Sequence, residues 1–241
     1  HIAVLTGAGV SKESGIPTFR DAMEGLWAEY DPQELATPIA FMMNPELVWN
    51  WYEWRRTLLA DKKPNPGHLA LAKLQKYKQV SVITQNVDDL HEQAGSTDVI
   101  HLHGNIATHK CFANCQGMPT IVDISTLDYE QGTVPKCPYC DANIRPNVVW
   151  YGEFLPPEEV KKAKEVSRNC DVMLVIGTSG AVYSATIMIA TAQEQGATII
   201  EVNPNDSLVS PMADLKLEAP SGIALPKVMQ HFSEENLWTT N

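Results

Sequence analysis

Four of the five cysteines fall into two close pairs, Cys111-x3-Cys115 and Cys137-x2-Cys140. Two tight turns can bring four thiolates around one ion, and tetrahedral all-cysteine coordination is the closed arrangement of a structural zinc. It leaves no open position for a reactive water, so one zinc ion is expected to hold a fold rather than do chemistry. The bland alternative is two incidental pairs of buried cysteines. Cys170 stands alone before an apolar run and reads as a core residue. Disulfide scaffolds are shorter and denser in cysteine, so a reducing compartment is expected.

A second group of residues suits a phosphorylated cofactor. The first apolar run leads into Gly7-Ala8-Gly9-Val10-Ser11, and glycines at a strand-to-helix turn let backbone approach a pyrophosphate. A dinucleotide fingerprint would place a third glycine at position 12, where Lys12 stands; a lone GxG can equally be a plain tight turn. Gln85, Asn86 and Asp88 follow the second apolar run and offer amide and carboxylate groups for ribose hydroxyls and a carboxamide. Asp88 could instead cap the helix after it. His103, just before Gly104, has the residue type of a general base for a sugar hydroxyl. His101, two residues earlier, shares its face parity.

These groups need a scaffold, and the apolar pattern supplies one. Short runs rich in β-branched residues lie at 2–6, 80–84, 98–103, 171–177, 198–202 and 214–218. Their near-continuous apolarity fits parallel strands covered on both faces. Helical patterns alternate with them near 67–78, 88–94, 157–169, 184–195 and 224–235, which predicts an α/β, Rossmann-like doubly wound parallel sheet. The large part takes approximately 1–19, 66–107 and 148–241. A smaller one is built from a helical insert, 20–65, and the cysteine module, 108–147. Residues 148–153, VVWYGE, have strand composition. On the helix Pro45 to Leu59, Val48, Tyr52, Arg55 and Leu59 form one edge, with Arg55 a cation on a line otherwise suited to burial. Such an arginine either snorkels to water or meets a ligand.

The 241 residues carry 18 basic and 29 acidic side chains, a formal net charge of −11, which argues against a nucleic-acid partner. No apolar run reaches the ~20 residues of a membrane helix. A cytoplasmic monomer is expected; the sequence opens on a strand pattern without a cationic leader, and an upstream targeting segment stays open.

The block GAGVSKESGIPTFR (7–20) resembles the NAD-binding signature of the sirtuin family. The resemblance runs in order through TQNVDDLHEQAG (84–95), HLHG (101–104), both cysteine pairs, VVWYGE, GTS (177–179) and VNP (202–204), nearly the whole chain. It implies an NAD-dependent protein deacylase acting on acyl-lysine side chains. The acyl carbonyl oxygen attacks the nicotinamide ribose, nicotinamide leaves, His103 activates a ribose hydroxyl, and O-acyl-ADP-ribose results. By the same resemblance, Gln85, Asn86 and Asp88 join His103 in catalysis. Gly7, Ala8, Gly9, Ser11, Phe19, Arg20, Gly177, Thr178, Ser179, Asn203 and Ser221 surround NAD, with residues 16–20 closing over the nicotinamide. Val148, Trp150, Tyr151 and Glu153 meet the peptide by strand addition. Tyr52 and Arg55, with Ala36 upstream, match the subgroup removing succinyl, malonyl and glutaryl groups. An arginine can grip such a carboxylate bidentately, the tyrosine adds a hydroxyl donor, and Ala36 leaves room for the longer chain.

Rivals are a general deacetylase, a mono-ADP-ribosyltransferase, an idle zinc adaptor and a nicotinamide dehydrogenase. The last would need an acidic residue ending a second strand ~20 positions past the glycines; Glu24, Glu29 and Asp31 fall in the insert instead.

Overall fold

The computed structural model describes residues 1–17 and 31–235. The strands in chain order are β1 (Ile2–Thr6), β2 (Val80–Thr84), β3 (Val99–His101), β4 (Gly104–Cys111), β5 (Ile144–Val148), β6 (Val172–Ile176), β7 (Thr198–Val202) and β8 (Leu215–Leu217). The helices are α1 (Gly9–Lys12), α2 (Pro32–Leu35), α3 (Pro38–Met43), α4 (Pro45–Ala60), α5 (Pro66–Leu74), α6 (Leu90–Gln93), α7 (Pro157–Asn169), α8 (Tyr183–Glu194) and α9 (Ser221–Glu235). Two compact units emerge among the described residues: 1–17, 62–102 and 158–235 form one, and 31–61 with 103–157 the other.

In the first unit the six apolar runs pair as one parallel sheet in the order β3-β2-β1-β6-β7-β8. Strand pleating sends Ala3, Leu5, Met173 and Val175 to a core closed by Ala163 of α7 and Met188 and Ile189 of α8. Val4, Val82, Ile176 and Val202 pack on the other side with Leu71 of α5 and Leu225 of α9. Both faces are therefore covered, as the continuous apolarity requires. The chain leaves β1 toward β2 and β3, then returns to the opposite side through β6. This reversal puts a topological switch point at the carboxyl ends of β1 and β6, where open α/β sheets bind ligands.

In the second unit β4 and β5 pair antiparallel, with a register irregularity between Asn105 and His109. α4 starts on an Asn44 cap, whose Oδ1 accepts the Leu47 N–H at 3.1 Å, with Pro45 at its first position. It buries Val48, Trp49, Trp51 and Tyr52.

Two strand expectations are corrected. The third run ends as a strand at His101, so His103 lies in the turn before β4. Gly104 makes that turn possible: its φ is +77°, and a Cβ there would sit 2.0 Å from the Asn147 carbonyl oxygen. Residues 149–153 are not a strand. The β5 ladder runs out where β4 begins, Gly104 opposite Val148, and the Val149 N–H bond to the His103 carbonyl at 2.9 Å is the last rung. Beyond it the chain turns through Gly152, φ +85°.

Candidate active site

The switch point is built by two glycine loops in contact. Gly7 donates its N–H to the Ile176 carbonyl at 3.1 Å and Gly9 to that of Gly177 at 2.8 Å. A Cβ on Gly7 would lie 2.8 Å from the Thr178 Cβ, and one on Gly9 2.7 Å from the Gly177 Cα, so neither tolerates a side chain. Backbone at such a crevice can approach a pyrophosphate, and the residues fit that group. Ala8 is exposed at the loop tip, while Ser11 is buried on α1.

Side chains tie the strand ends together beside this crevice. The Thr178 hydroxyl donates to Gln85 Oε1 at 2.9 Å, and Asn203 Nδ2 donates to the Thr178 carbonyl at 3.1 Å. Gln85, Thr178 and Asn203 therefore line the carboxyl edge from β2 to β7. Ser179 accepts the Ala181 N–H within its own turn at 3.4 Å. Ser221 opens α9, and its hydroxyl donates to Glu13 Oε2 at 3.2 Å. The same carboxylate accepts the Gly222 N–H at 2.7 Å, a negative group on a helix N-terminus.

Behind them is a buried polar relay. Asn86 Nδ2 donates to Ser11 Oγ at 3.1 Å, and Ser11 donates to Asp88 Oδ2 at 3.0 Å. The other Asp88 oxygen accepts the Leu90 N–H at 3.2 Å, so Asp88 also serves the start of α6. Burial raises the Asp88 pKa above the ordinary carboxylate range, against the lowering effect of those two donors. His101 faces the Asn86 carbonyl through Nδ1 at 3.4 Å and Glu92 through Nε2 at 2.6 Å. Burial opposes its protonation, but the Glu92 carboxylate outweighs it and His101 is held above its usual value. Glu92 carries no motif of its own in the sequence; its pairing with His101 is made only by the fold, which sets α6 beside the end of β3.

The other group lies in the second unit. Tyr52 and Trp150 are both buried, and the Trp150 indole N–H donates to the Tyr52 oxygen at 2.9 Å. Desolvation pushes the Tyr52 phenol up to about 12, despite nearby Arg55. The Arg55 guanidinium carbon lies 5.1 Å from the centre of the Trp51 ring, and burial lowers its pKa. Ala36, also buried, accepts the Tyr151 N–H at 2.9 Å, which places the small residue against the 148–153 segment. Val148 is buried at the end of β5. Glu153 forms an ion pair with the buried Arg145, a cation that no motif of the sequence marks. Phe19 and Arg20 lie outside the described residues.

The four paired cysteines converge. All four Sγ atoms lie within 4.8 Å of one another, with Cys111 to Cys140 at 3.5 Å and Cys115 to Cys137 at 3.8 Å. Tetrahedral Zn–S bonds of ~2.3 Å put sulfurs about 3.8 Å apart, so the group fits one zinc ion. Asn114 at φ 49° and Asp141 at φ 62° close the two knuckles.

A doubly wound sheet with glycine loops meeting at its switch point, in one chain with a four-cysteine cluster that could hold zinc, is the arrangement of a dinucleotide-binding protein with a metal-held module. The model of the Sir2 family matches residues 7–184, and the chain belongs to that family. A protein of Ralstonia nicotianae named NAD-dependent protein deacylase is 47% identical over 229 residues, 95% of this chain and 91% of its own length. A solved Sir2 homologue–NAD complex superposes with a TM-score of 0.86 at 40% identity, covering 97% of this chain and 90% of that one. A Sir2 homologue mutant in complex with ADP-ribose gives 0.87 at 39% identity, covering 100% and 94%.

Proposed function

We infer that this chain is an NAD-dependent protein-lysine deacylase, that it favours succinyl, malonyl and glutaryl groups over acetyl, and that it yields nicotinamide and O-acyl-ADP-ribose. NAD, when bound, supplies the ribosyl carbon that accepts the acyl oxygen and the hydroxyl that later receives the acyl group. The unit built on the parallel sheet is the NAD-binding part, with Gly7, Ala8, Gly9, Ser11, Thr178, Ser179, Asn203 and Ser221 around the cofactor. Asn86 and Asp88 hold the ribose and leaving group, the Ser11 bridge fixing their side chains relative to each other. Gln85 orients a ribose hydroxyl, and His103 takes its proton. Val148, Trp150, Tyr151 and Glu153 meet the acyl-lysine peptide.

The acyl preference is carried by Tyr52 and Arg55, a buried phenol and a partly buried cation one turn apart on α4. A carboxylate entering a dry pocket must exchange water for fixed donors, and charge-assisted hydrogen bonds contribute ~1.5 to 3 kcal/mol each, roughly ten- to a hundredfold in affinity. The test is mass spectrometry of products from one peptide carrying acetyl-, succinyl- or malonyl-lysine, with NAD. Acidic acyl groups should leave with higher kcat/KM, and Arg55→Met should raise the KM for succinyl-lysine at least ~tenfold while changing deacetylation far less. Comparable wild-type efficiencies on acetyl and succinyl peptides would make this a general deacetylase.

A further inference from the structure

We propose that the Trp150 indole is a specificity-determining group: the buried Arg145–Glu153 pair holds it so that its N–H occupies the Tyr52 oxygen and commits the phenol to donate to an acyl acceptor. This rests on the acidic-acyl reading and adds to it the device that sets the direction of the Tyr52 hydrogen bond.

Trp150 is fixed from two sides. Arg145 is 1% exposed, and its guanidinium carbon stacks 3.1 Å from the centre of the Trp150 ring. That guanidinium donates to Glu153 Oε1 at 2.5 Å, to Glu153 Oε2 at 3.1 Å and to the Val148 carbonyl at 2.6 Å. Glu153 Oε2 also accepts the Trp150 backbone N–H at 2.8 Å. One bidentate ion pair therefore restrains both the ring and the main chain of Trp150. Phe41 packs on the same indole at 5.3 Å between ring centres.

The indole nitrogen is a donor only, so the 2.9 Å contact has one possible sense: Tyr52 accepts. A phenol has a single proton, and among the described residues no acceptor takes it from Tyr52. A phenol keeps that proton at neutral pH in any case, and burial, which pushes it up to about 12, moves it further from ionisation. A succinyl or malonyl carboxylate supplies the missing acceptor, whereas the methyl end of an acetyl group cannot. Without the indole N–H, the Tyr52 oxygen is open to other donors and its proton loses a fixed direction.

Trp150→Phe keeps an aromatic ring and deletes the donor. It should lower the succinyl-to-acetyl ratio of kcat/KM by ~tenfold, the value of one well-placed hydrogen bond to a charge. In a Tyr52→Phe background the same substitution should leave that ratio unmoved. An independent readout comes from 15N–1H spectra, in which the Trp150 indole signal, identified by its absence in Trp150→Phe, should shift in Tyr52→Phe. An indole signal that stays in place, or equal effects of Trp150→Phe on the ratio in both backgrounds, overturns the proposal. Wild-type protein without an acidic-acyl preference overturns the reading beneath it, and the proposal with it. A preserved wild-type preference with additive variants removes the Trp150 role alone.

Discussion

Taking a proton from a sugar hydroxyl near pH 7 needs a base that is largely neutral there, and histidine is the side chain whose ordinary pKa meets that need. The chain has seven histidines, and their surroundings divide them. His68 and His91 are sealed in the core, and His101 is engaged with Glu92. His103 stands in the turn that Gly104 permits, its backbone locked by the Val149 N–H. His103→Ala should abolish deacylation while NAD binding, measured by calorimetry, stays within a few-fold of wild type. Turnover within a few-fold of wild type would remove the base from His103. At this scale the sequence showed positions but not partners. Asn86, Asp88 and Ser11 were legible as residue types after strands, yet their mutual bonds join positions more than seventy residues apart in the chain. Arg145 went unseen, although a cation between Ile144 and Pro146 in a buried strand, eight residues before Glu153, is as unusual as Arg55 on its helix edge.

Elements were more legible because both faces of the sheet are buried and the apolar runs leave little choice of strand. The run 80–84 became β2 and 157–169 became α7 with those bounds. The segment 148–153 misled because β propensity is no substitute for a partner, and β4 offers none past Gly104. The cysteine module depends on such local bookkeeping even more. Its core is Trp49, Cys111, Val122, Cys137 and Ile144, with only Ile124, Leu127, Val134 and Ala142 packed against it, a small cluster in which two members are the paired cysteines themselves. Metal-binding free energy therefore becomes folding free energy for β4, β5 and the two knuckles. Elemental analysis of reduced protein should find one zinc per chain. Cys140→Ser should lose it and blur the near-ultraviolet signal of Trp49 and its neighbours. Zinc-free protein that keeps this signal would show the thiols to be merely packed.

At the scale of the whole molecule, stability in acid should reflect a buried histidine pair. His68 on α5 and His91 on α6 are 0% and 1% exposed, with ring centres 4.8 Å apart. His68 Nδ1 accepts the Asn65 N–H at 3.3 Å and helps cap α5, and His91 Nε2 is 3.0 Å from the Thr6 hydroxyl on β1. Burial pushes His68 down to about 4; burial, with His68 and His101 nearby, pushes His91 down to about 3. Both are neutral in the folded chain, and the unfolded chain protonates them near pH 6.5. Stability is thus complete above pH 6.5 and falls below it, until the folded values near 4 and 3 are reached. His109, lowered to about 4 by burial and Arg56, adds to this loss in the other unit. His101 works the opposite way: its raised pKa means the folded state binds the proton first, so its contribution grows as pH falls. At ~1.4 kcal/mol per pH unit for each lowered histidine, the His68–His91 pair withdraws about 4 kcal/mol by pH 5, a large share of a typical ~5 to 15. The urea midpoint should drop clearly between pH 7.5 and pH 5. His68→Gln, which keeps a side-chain acceptor near the cap but cannot titrate, should reduce that drop by about half of the pair's share. A pH dependence identical in wild type and His68→Gln would show that His68 takes up its proton equally in the folded and unfolded chain, and would remove the pair from the acid response.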